Sequence, residues 1–188
     1  MGIFSKKRQY QSTLESCQNE YVKPDREMSA KYRKKYKYAG YQPYATIQTS
    51  YGCRNHCTFC IRRKLEGKLT ERDIEEVVSD IQEIKEDTVM ICDSDFLINE
   101  QRLVRFCELL EERQIHKTYI CYGSVNSILE KEALFKRLSE NGVKAVIVGL
   151  ESFSDVFLKS YNKSATLDEN YKAVQILKRE GIATWGTF

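Results

Sequence analysis

From residue 44 onward the sequence alternates short apolar runs with longer segments whose apolar residues recur at helical spacing. That alternation admits few folds. Strand-like runs fall at residues 44–49, 88–93, 118–122, 143–150 and from 182. Between them, 70–85 carries Ile74, Val77, Val78, Ile81 and Ile84, with Thr70 and Asp73 as a capping pair. Residues 99–114 place Leu103, Val104, Phe106, Cys107 and Leu110 inward. Further helices are expected at 129–141, ended by Gly142, at 154–161, and at 167–180, ended by Gly181. Strands alternating with helices form a parallel sheet through right-handed crossovers, and near-continuous apolar strands imply a sheet covered on both faces. No glycine-rich phosphate loop follows the first strand, so an open dinucleotide-binding sheet lacks its signature. The expected class is α/β, a partial parallel (β/α) barrel reaching about its fifth strand.

The first segment is different. Residues 1–44 carry ten Lys and Arg against four Asp and Glu, whereas residues 45–188 carry 20 against 23. The run Lys31-Tyr32-Arg33-Lys34-Lys35-Tyr36-Lys37-Tyr38 interleaves base with aromatic. Such a run can neutralise phosphates and stack on bases. No RNA-binding module surrounds it, so the preferred reading is a lead-in whose tyrosines pack on the domain, and no nucleic-acid partner is expected. The organisation is thus 1–43 as a basic Tyr/Lys-rich lead-in and 44–188 as the barrel. No apolar run nears the ~18 residues of a membrane span, and no signal peptide opens the chain, so a cytoplasmic, reducing setting is expected.

Three of the seven cysteines cluster just past the first strand, in Gly52-Cys53-Arg54-Asn55-His56-Cys57-Thr58-Phe59-Cys60. Three neighbouring thiolates suit a soft or borderline metal. A four-iron cluster has four corners, and three cysteines leave one iron open, as catalytic metal sites do. The same residues, with His56, also admit a structural zinc site. Against zinc, His56 directly precedes Cys57, whereas structural zinc sites draw on separated pairs. Polar residues then recur at successive strand ends: Asp93 and Asp95, Ser124 and Asn126, Glu151. Barrel enzymes build their sites at that end. Asp93 and Asp95 also admit a reading as helix caps, and Glu151 as a loop acid, though the strand-end site is preferred. Cys92, Cys107 and Cys121 lie in apolar elements and read as small core residues. Cys17 and His116 carry no assignment.

The C-x3-C-x2-C loop after strand one, the aromatic Phe59 before its last cysteine, and the βα repeats together resemble the radical S-adenosylmethionine superfamily. Gln48-Thr49-Ser50-Tyr51-Gly52-Cys53, Asp93-Ser94-Asp95-Phe96 and Gly149-Leu150-Glu151-Ser152 resemble more narrowly the subgroup that carries a cobalamin-binding domain ahead of the barrel, and Pro24-Asp25-Arg26 resembles its linker. The resemblance implies that Cys53, Cys57 and Cys60 hold a [4Fe-4S] cluster. It implies that S-adenosylmethionine chelates the open iron and is cleaved reductively to a 5′-deoxyadenosyl radical. Asp93 and Asp95 would meet the methionine amino group, Glu151 the ribose, and Phe59 the adenine, with Ser124 also among the cofactor contacts.

The sequence departs from the subgroup in three ways. Only 52 residues precede Cys53 and the D-x-H-x-x-G cobalamin motif is absent, so this chain is not expected to bind cobalamin by itself. Ser124 and Asn126 stand where relatives often have Arg and Asp. The family barrel has six strands and this sequence enters a fifth, which leaves Trp185 and Phe188 exposed on an open edge. Expected partners are a substrate of unknown identity, an electron donor, and a second polypeptide completing the barrel. The rival reading is a non-catalytic binding module, stabilised by zinc or an idle cluster, that works through its basic arm.

Overall fold

The computed structural model describes residues 21–38 and 40–188; Cys17 and the other residues up to 20 lie outside the described part. The chain divides into two compact units, residues 1–31 and 32–188. Among the described residues the second holds the strands β1 (Tyr44–Ile47), β2 (Ser50–Tyr51), β3 (Thr70–Glu71), β4 (Thr88–Ile91), β5 (Thr118–Gly123), β6 (Val143–Gly149) and β7 (Ala183–Thr187). The five longer strands form one all-parallel sheet in the order β1-β4-β5-β6-β7. β2 and β3 form a small antiparallel pair, Ser50 facing Glu71 and Tyr51 facing Thr70. The helices are α1 (Ala30–Arg33), α2 (Arg62–Glu66), α3 (Ile74–Glu83), α4 (Glu100–Glu112), α5 (Val125–Glu130), α6 (Phe135–Glu140), α7 (Asp155–Ser160) and α8 (Leu167–Arg179). This is the α/β arc of a barrel that the strand–helix alternation predicts.

The three central strands β4, β5 and β6 bury both faces, by alternation. On β4, Val89 and Ile91 point to the helical layer while Met90 points to the other side. On β6, Val146 and Val148 join the helical layer while Ala145 and Ile147 face Met90 and Ile120. The helical layer is the larger core. Val77, Val78 and Ile81 of α3, Leu103, Phe106 and Cys107 of α4, and Ala173 and Leu177 of α8 are fully buried in it. Each large aliphatic side chain there contributes roughly 1.5–3 kcal/mol of burial.

The inner face is covered by the tyrosine-rich segment. Tyr38, Tyr41, Tyr44, Tyr122 and Trp185 pack against Met90, Ile120, Ala145 and Ile147. The Tyr38 ring lies 6.0 Å from Tyr44 on β1 and 5.7 Å from Trp185 on β7. Those strands are the two sheet edges, which a flat five-stranded sheet would hold about 19 Å apart. One tyrosine reaching both shows that the sheet curls, and that the turn Tyr38–Tyr41 plugs the inside of the curl. Trp185 is therefore half-buried rather than exposed as expected, while Phe188 is exposed and stacks on Phe153 at 4.7 Å.

Several expected boundaries shift, each for a local reason. Thr70 sits in β3, so α3 starts at Ile74 and its cap is Asp73 alone, whose carboxylate accepts from the backbone N–H of Glu75 and Glu76. The helix expected at 129–141 is two helices. α5 begins at once after β5 because Ser124 caps it, accepting from Ser127 N. A 3-10 turn at Glu132–Leu134 separates it from α6. On α4 Leu109 is buried and Val104 only partly so. α8 opens with a capping box, Thr166 and Glu169 each bonding the other's backbone. Among the described residues no helix is long and apolar enough to cross a membrane.

Candidate functional site

At the C-terminal ends of the strands lies a cleft of about 370 Å³ into which Cys53, Cys57 and Cys60 all face. It is positioned from the sequence upward. β1 ends at Ile47, and the chain turns over the sheet through Thr49 and Ser50. Asp93, just past β4, fixes this turn. Its buried carboxylate accepts from Thr49 N at 2.6 Å, Thr49 Oγ1 at 2.5 Å and Ser50 Oγ at 2.8 Å. Gly52 follows at φ +78°, where a Cβ would lie 2.4 Å from the Lys68 carbonyl oxygen. Only glycine fits that left-handed, close approach. The Gly52 N–H donates to Glu66 Oε2.

The cysteine loop is tied down along its length. Arg54 donates to Ser127 Oγ and pairs with Glu130 at 3.0 Å. The His56 carbonyl accepts from Asn162 Nδ2, and Thr58 N donates to the Tyr161 carbonyl. Phe59 is exposed on the cleft rim and packs edge-on against Tyr161 at 5.7 Å. Nothing in the sequence pattern marked Tyr161 and Asn162; Asn162 takes a positive φ of 54° at the end of α7, a turn conformation that carries no hydrophobic period.

Among the described residues no three His, Cys, Asp or Glu side chains converge on one point as a single ion requires. All three cysteines line the cleft, and their thiols are near enough to interact electrostatically, Cys53 with Cys57 and Cys60 and Cys57 with Cys60. Burial raises the Cys53 thiol, opposed by the Asn55 N–H and reinforced by the nearby Asp95. Burial also raises Cys57, opposed by the Lys163 ammonium.

The strand-end residues divide. Ser124 and Glu151 line the cleft with Phe59. Asp93 and Asp95 do not. Both are buried, at 1% and 3% exposure. Asp95 caps the turn Phe96–Ile98, accepting from Leu97 N, and takes the Ser127 hydroxyl at 2.7 Å. Burial raises Asp93 above its usual range, against the hydrogen bonds from Thr49 and Ser50. In this structure both carboxylates, expected to meet the cofactor, are engaged in buried hydrogen bonds, and Ser94 between them lines the cleft. Asn126 donates to the Ser164 carbonyl. Glu151 sits at φ +62° and approaches Lys163 at 3.6 Å. Lys163, Arg62 and Tyr122 complete the cleft and were not singled out by sequence; each lies in a stretch with ordinary polar or core patterning. Cys107 and Cys121 are buried in the helical-side core, and Cys92 is half-buried on the inner face.

Comparison with known proteins agrees with this geometry. The chain is 27% identical to a hopanoid C-3 methylase of Methylococcus capsulatus over 81% of its length, covering 30% of that protein. It is 30% identical to an anaerobic magnesium-protoporphyrin IX monomethyl ester cyclase of Rubrivivax gelatinosus over 73% of its length, covering 25% of that protein. The chain thus spans about a quarter to a third of these curated relatives. Among solved structures, the cobalamin-dependent S-adenosylmethionine radical enzyme OxsB superposes with a TM-score of 0.69 at 23% identity, over 75% of this chain and 23% of that one. Methylornithine synthase superposes at 0.55 and 16% identity, over 75% and 42%. These likenesses show the fold. The radical SAM superfamily model matches residues 47–188, and with a cysteine-lined cleft at the mouth of its partial barrel the chain belongs to the radical SAM superfamily.

Proposed function

We propose that Cys53, Cys57 and Cys60 hold a [4Fe-4S] cluster in the cleft and that S-adenosylmethionine binds beside it. The observation that carries this reading is that three cysteines from one loop face a single cleft at the C-terminal end of a parallel sheet. When bound, the cluster supplies one electron that splits the sulfonium into methionine and a 5′-deoxyadenosyl radical. The chain's own residues position and enclose. Gly52 and Asp93 set the angle at which the cysteine loop leaves β1. Tyr161 and Asn162 hold the loop's far side. Glu151, restrained by Lys163, offers a carboxylate for ribose hydroxyls, and Phe59 offers a ring edge for adenine. Ser94 and Ser124 line the same cleft and supply neutral hydroxyls. The Tyr38–Tyr41 plug closes the inside of the curl and keeps water from entering beneath.

Within a longer protein or with a second polypeptide, this unit would generate the radical for a methylation or cyclisation of the kind the curated relatives are named for. An external electron donor is required. We assign cobalamin to none of these residues. The test is product analysis under anaerobic reducing conditions: cluster-loaded protein should convert S-adenosylmethionine to 5′-deoxyadenosine, and Cys57→Ala should not. Cluster-loaded protein that neither binds nor cleaves S-adenosylmethionine would overturn the reading.

A further inference from the structure

Arg62 lines the cleft with two of its three guanidinium nitrogens unused. All of its hydrogen bonds leave from one nitrogen. Nη1 donates to Glu66 Oε1 at 3.1 Å, to the Cys92 carbonyl at 3.4 Å and to Ser94 Oγ at 3.4 Å. The guanidinium carbon also lies 6.0 Å over the Tyr122 ring. Three acceptors and a ring fix the plane of the group. Nε and Nη2 have no partner among the described residues, and the side chain is 41% exposed. A fixed guanidinium with two free donors matches the two oxygens of a carboxylate or phosphate.

The charges around it point the same way. Glu66, the one acid paired with Arg62, does not line the cleft and is itself satisfied by the Gly52 N–H and the Ser94 hydroxyl. Asp93 and Asp95 are turned into buried hydrogen bonds. The carboxylate that lines the cleft is Glu151, and it already faces Lys163. Glu66 pairs with Arg62 through Nη1 alone, so an anion entering the cleft meets Nε and Nη2.

The geometry points to Arg62 as the binding residue for an oxyanion on the substrate, so that the substrate class is a carboxylate- or phosphate-bearing molecule whose charged group docks between Ser94 and Tyr122. This deepens the radical reading, on which the word substrate rests. The oxyanion site itself is a property of the cleft and is testable without the cluster.

The experiment is a titration of the full chain, cluster-free, metal-free and reduced, followed by the arginine Nε–Hε resonances in nitrogen-15 NMR. Arg62 is assigned by the resonance lost in Arg62→Gln. Succinate and inorganic phosphate are titrated separately, and the one that saturates at lower concentration identifies the oxyanion. The inference requires a saturable shift of the Arg62 resonance with at least one of them. It also requires that the accompanying backbone amide shifts of Ser94 and Tyr122, which both variants retain, be lost in Arg62→Gln and need about tenfold or more ligand in Arg62→Lys, which keeps the charge but not the fork. Backbone spectra that overlay wild type show that both variants are folded. No saturable shift, or equal binding by either variant, overturns it. The titration is repeated on cluster-loaded protein saturated with S-adenosylmethionine. Retention of the oxyanion affinity within about twofold supports a substrate role. Competitive loss assigns Arg62 to the carboxylate of S-adenosylmethionine and overturns the substrate assignment. Failure to load a cluster would count against the radical reading alone, because the cluster-free titration still reports on Arg62.

Discussion

Asp93 separates two accounts of the same residue, and its replacement by Ala or Asn distinguishes them. The structure makes it a buried tie between the end of β1 and the end of β4, with three donors on one carboxylate. Asp93→Ala strands all three. The two hydroxyls can rotate toward other acceptors, but the Thr49 N–H cannot. Leaving buried donors without a partner costs about 1–3 kcal/mol each, so the expected loss is about 3–5 kcal/mol. For a chain of this size that is about 10 °C in Tm. Asp93→Asn can turn its oxygen to Thr49 N and its amide to the hydroxyls while removing a buried charge, so a loss of less than about 1 kcal/mol is expected. Burial raises the Asp93 pKa above its ordinary 3.8. The folded state therefore holds the proton to higher pH than the unfolded state does. The contribution of Asp93 is full below 3.8 and declines as pH rises toward the raised folded value. Asp93→Asn should remove that slope. The assay is urea unfolding of the reduced, cluster-free protein followed by circular dichroism at several pH values. Full stability in Asp93→Ala, together with weakened S-adenosylmethionine binding once the cluster is loaded, would refute the structural account and restore the cofactor-contact role.

Other outcomes follow from the same geometry. Gly52→Ala should cost about 2–4 kcal/mol and lower iron loading, since a Cβ there meets backbone rather than a movable side chain; calorimetry alongside iron analysis reads both. Glu151→Ala should weaken S-adenosylmethionine binding by about 1–3 kcal/mol in calorimetric titration of cluster-loaded protein, and unchanged affinity would leave Glu151 as a loop acid paired to Lys163. Tyr38→Ala should cost about 2–4 kcal/mol and increase Trp185 fluorescence quenching by acrylamide, because it removes the ring between the two sheet edges.

The layout was legible in the sequence because each βα repeat carries its own period. The apolar runs at β4, β5 and β6 and the helical faces of α3, α4 and α8 needed no tertiary information to be found. The cysteine loop was legible because spacing alone separates three thiols from a structural pair of pairs. What escaped was set by contacts distant in sequence. Thr70 looked like a cap until β2 supplied it with a strand partner. Asp93 and Asp95 looked like cleft residues because strand ends are where sites sit, yet a carboxylate reached by Thr49 or Ser127 from another element turns inward. Lys163 and Arg62 carried no pattern; they matter because α7 and α2 happen to deliver them to one cleft. Of the basic tyrosine run, whose rings were expected to pack on the domain, Tyr38 lies on the inner face of the sheet while Tyr32 and Tyr36 are exposed.

The central claim is that the three clustered cysteines, and not the other described ones, carry an iron–sulfur cluster. Anaerobic reconstitution followed by iron, sulfide and zinc analysis with a visible spectrum tests it most directly. The account predicts about four irons per chain and a broad sulfur-to-iron absorption, lost in Cys53→Ala, Cys57→Ala or Cys60→Ala and retained when Cys92, Cys107 or Cys121 is changed. A colourless protein holding one zinc per chain, or a cluster that survives loss of any of the three, would contradict it.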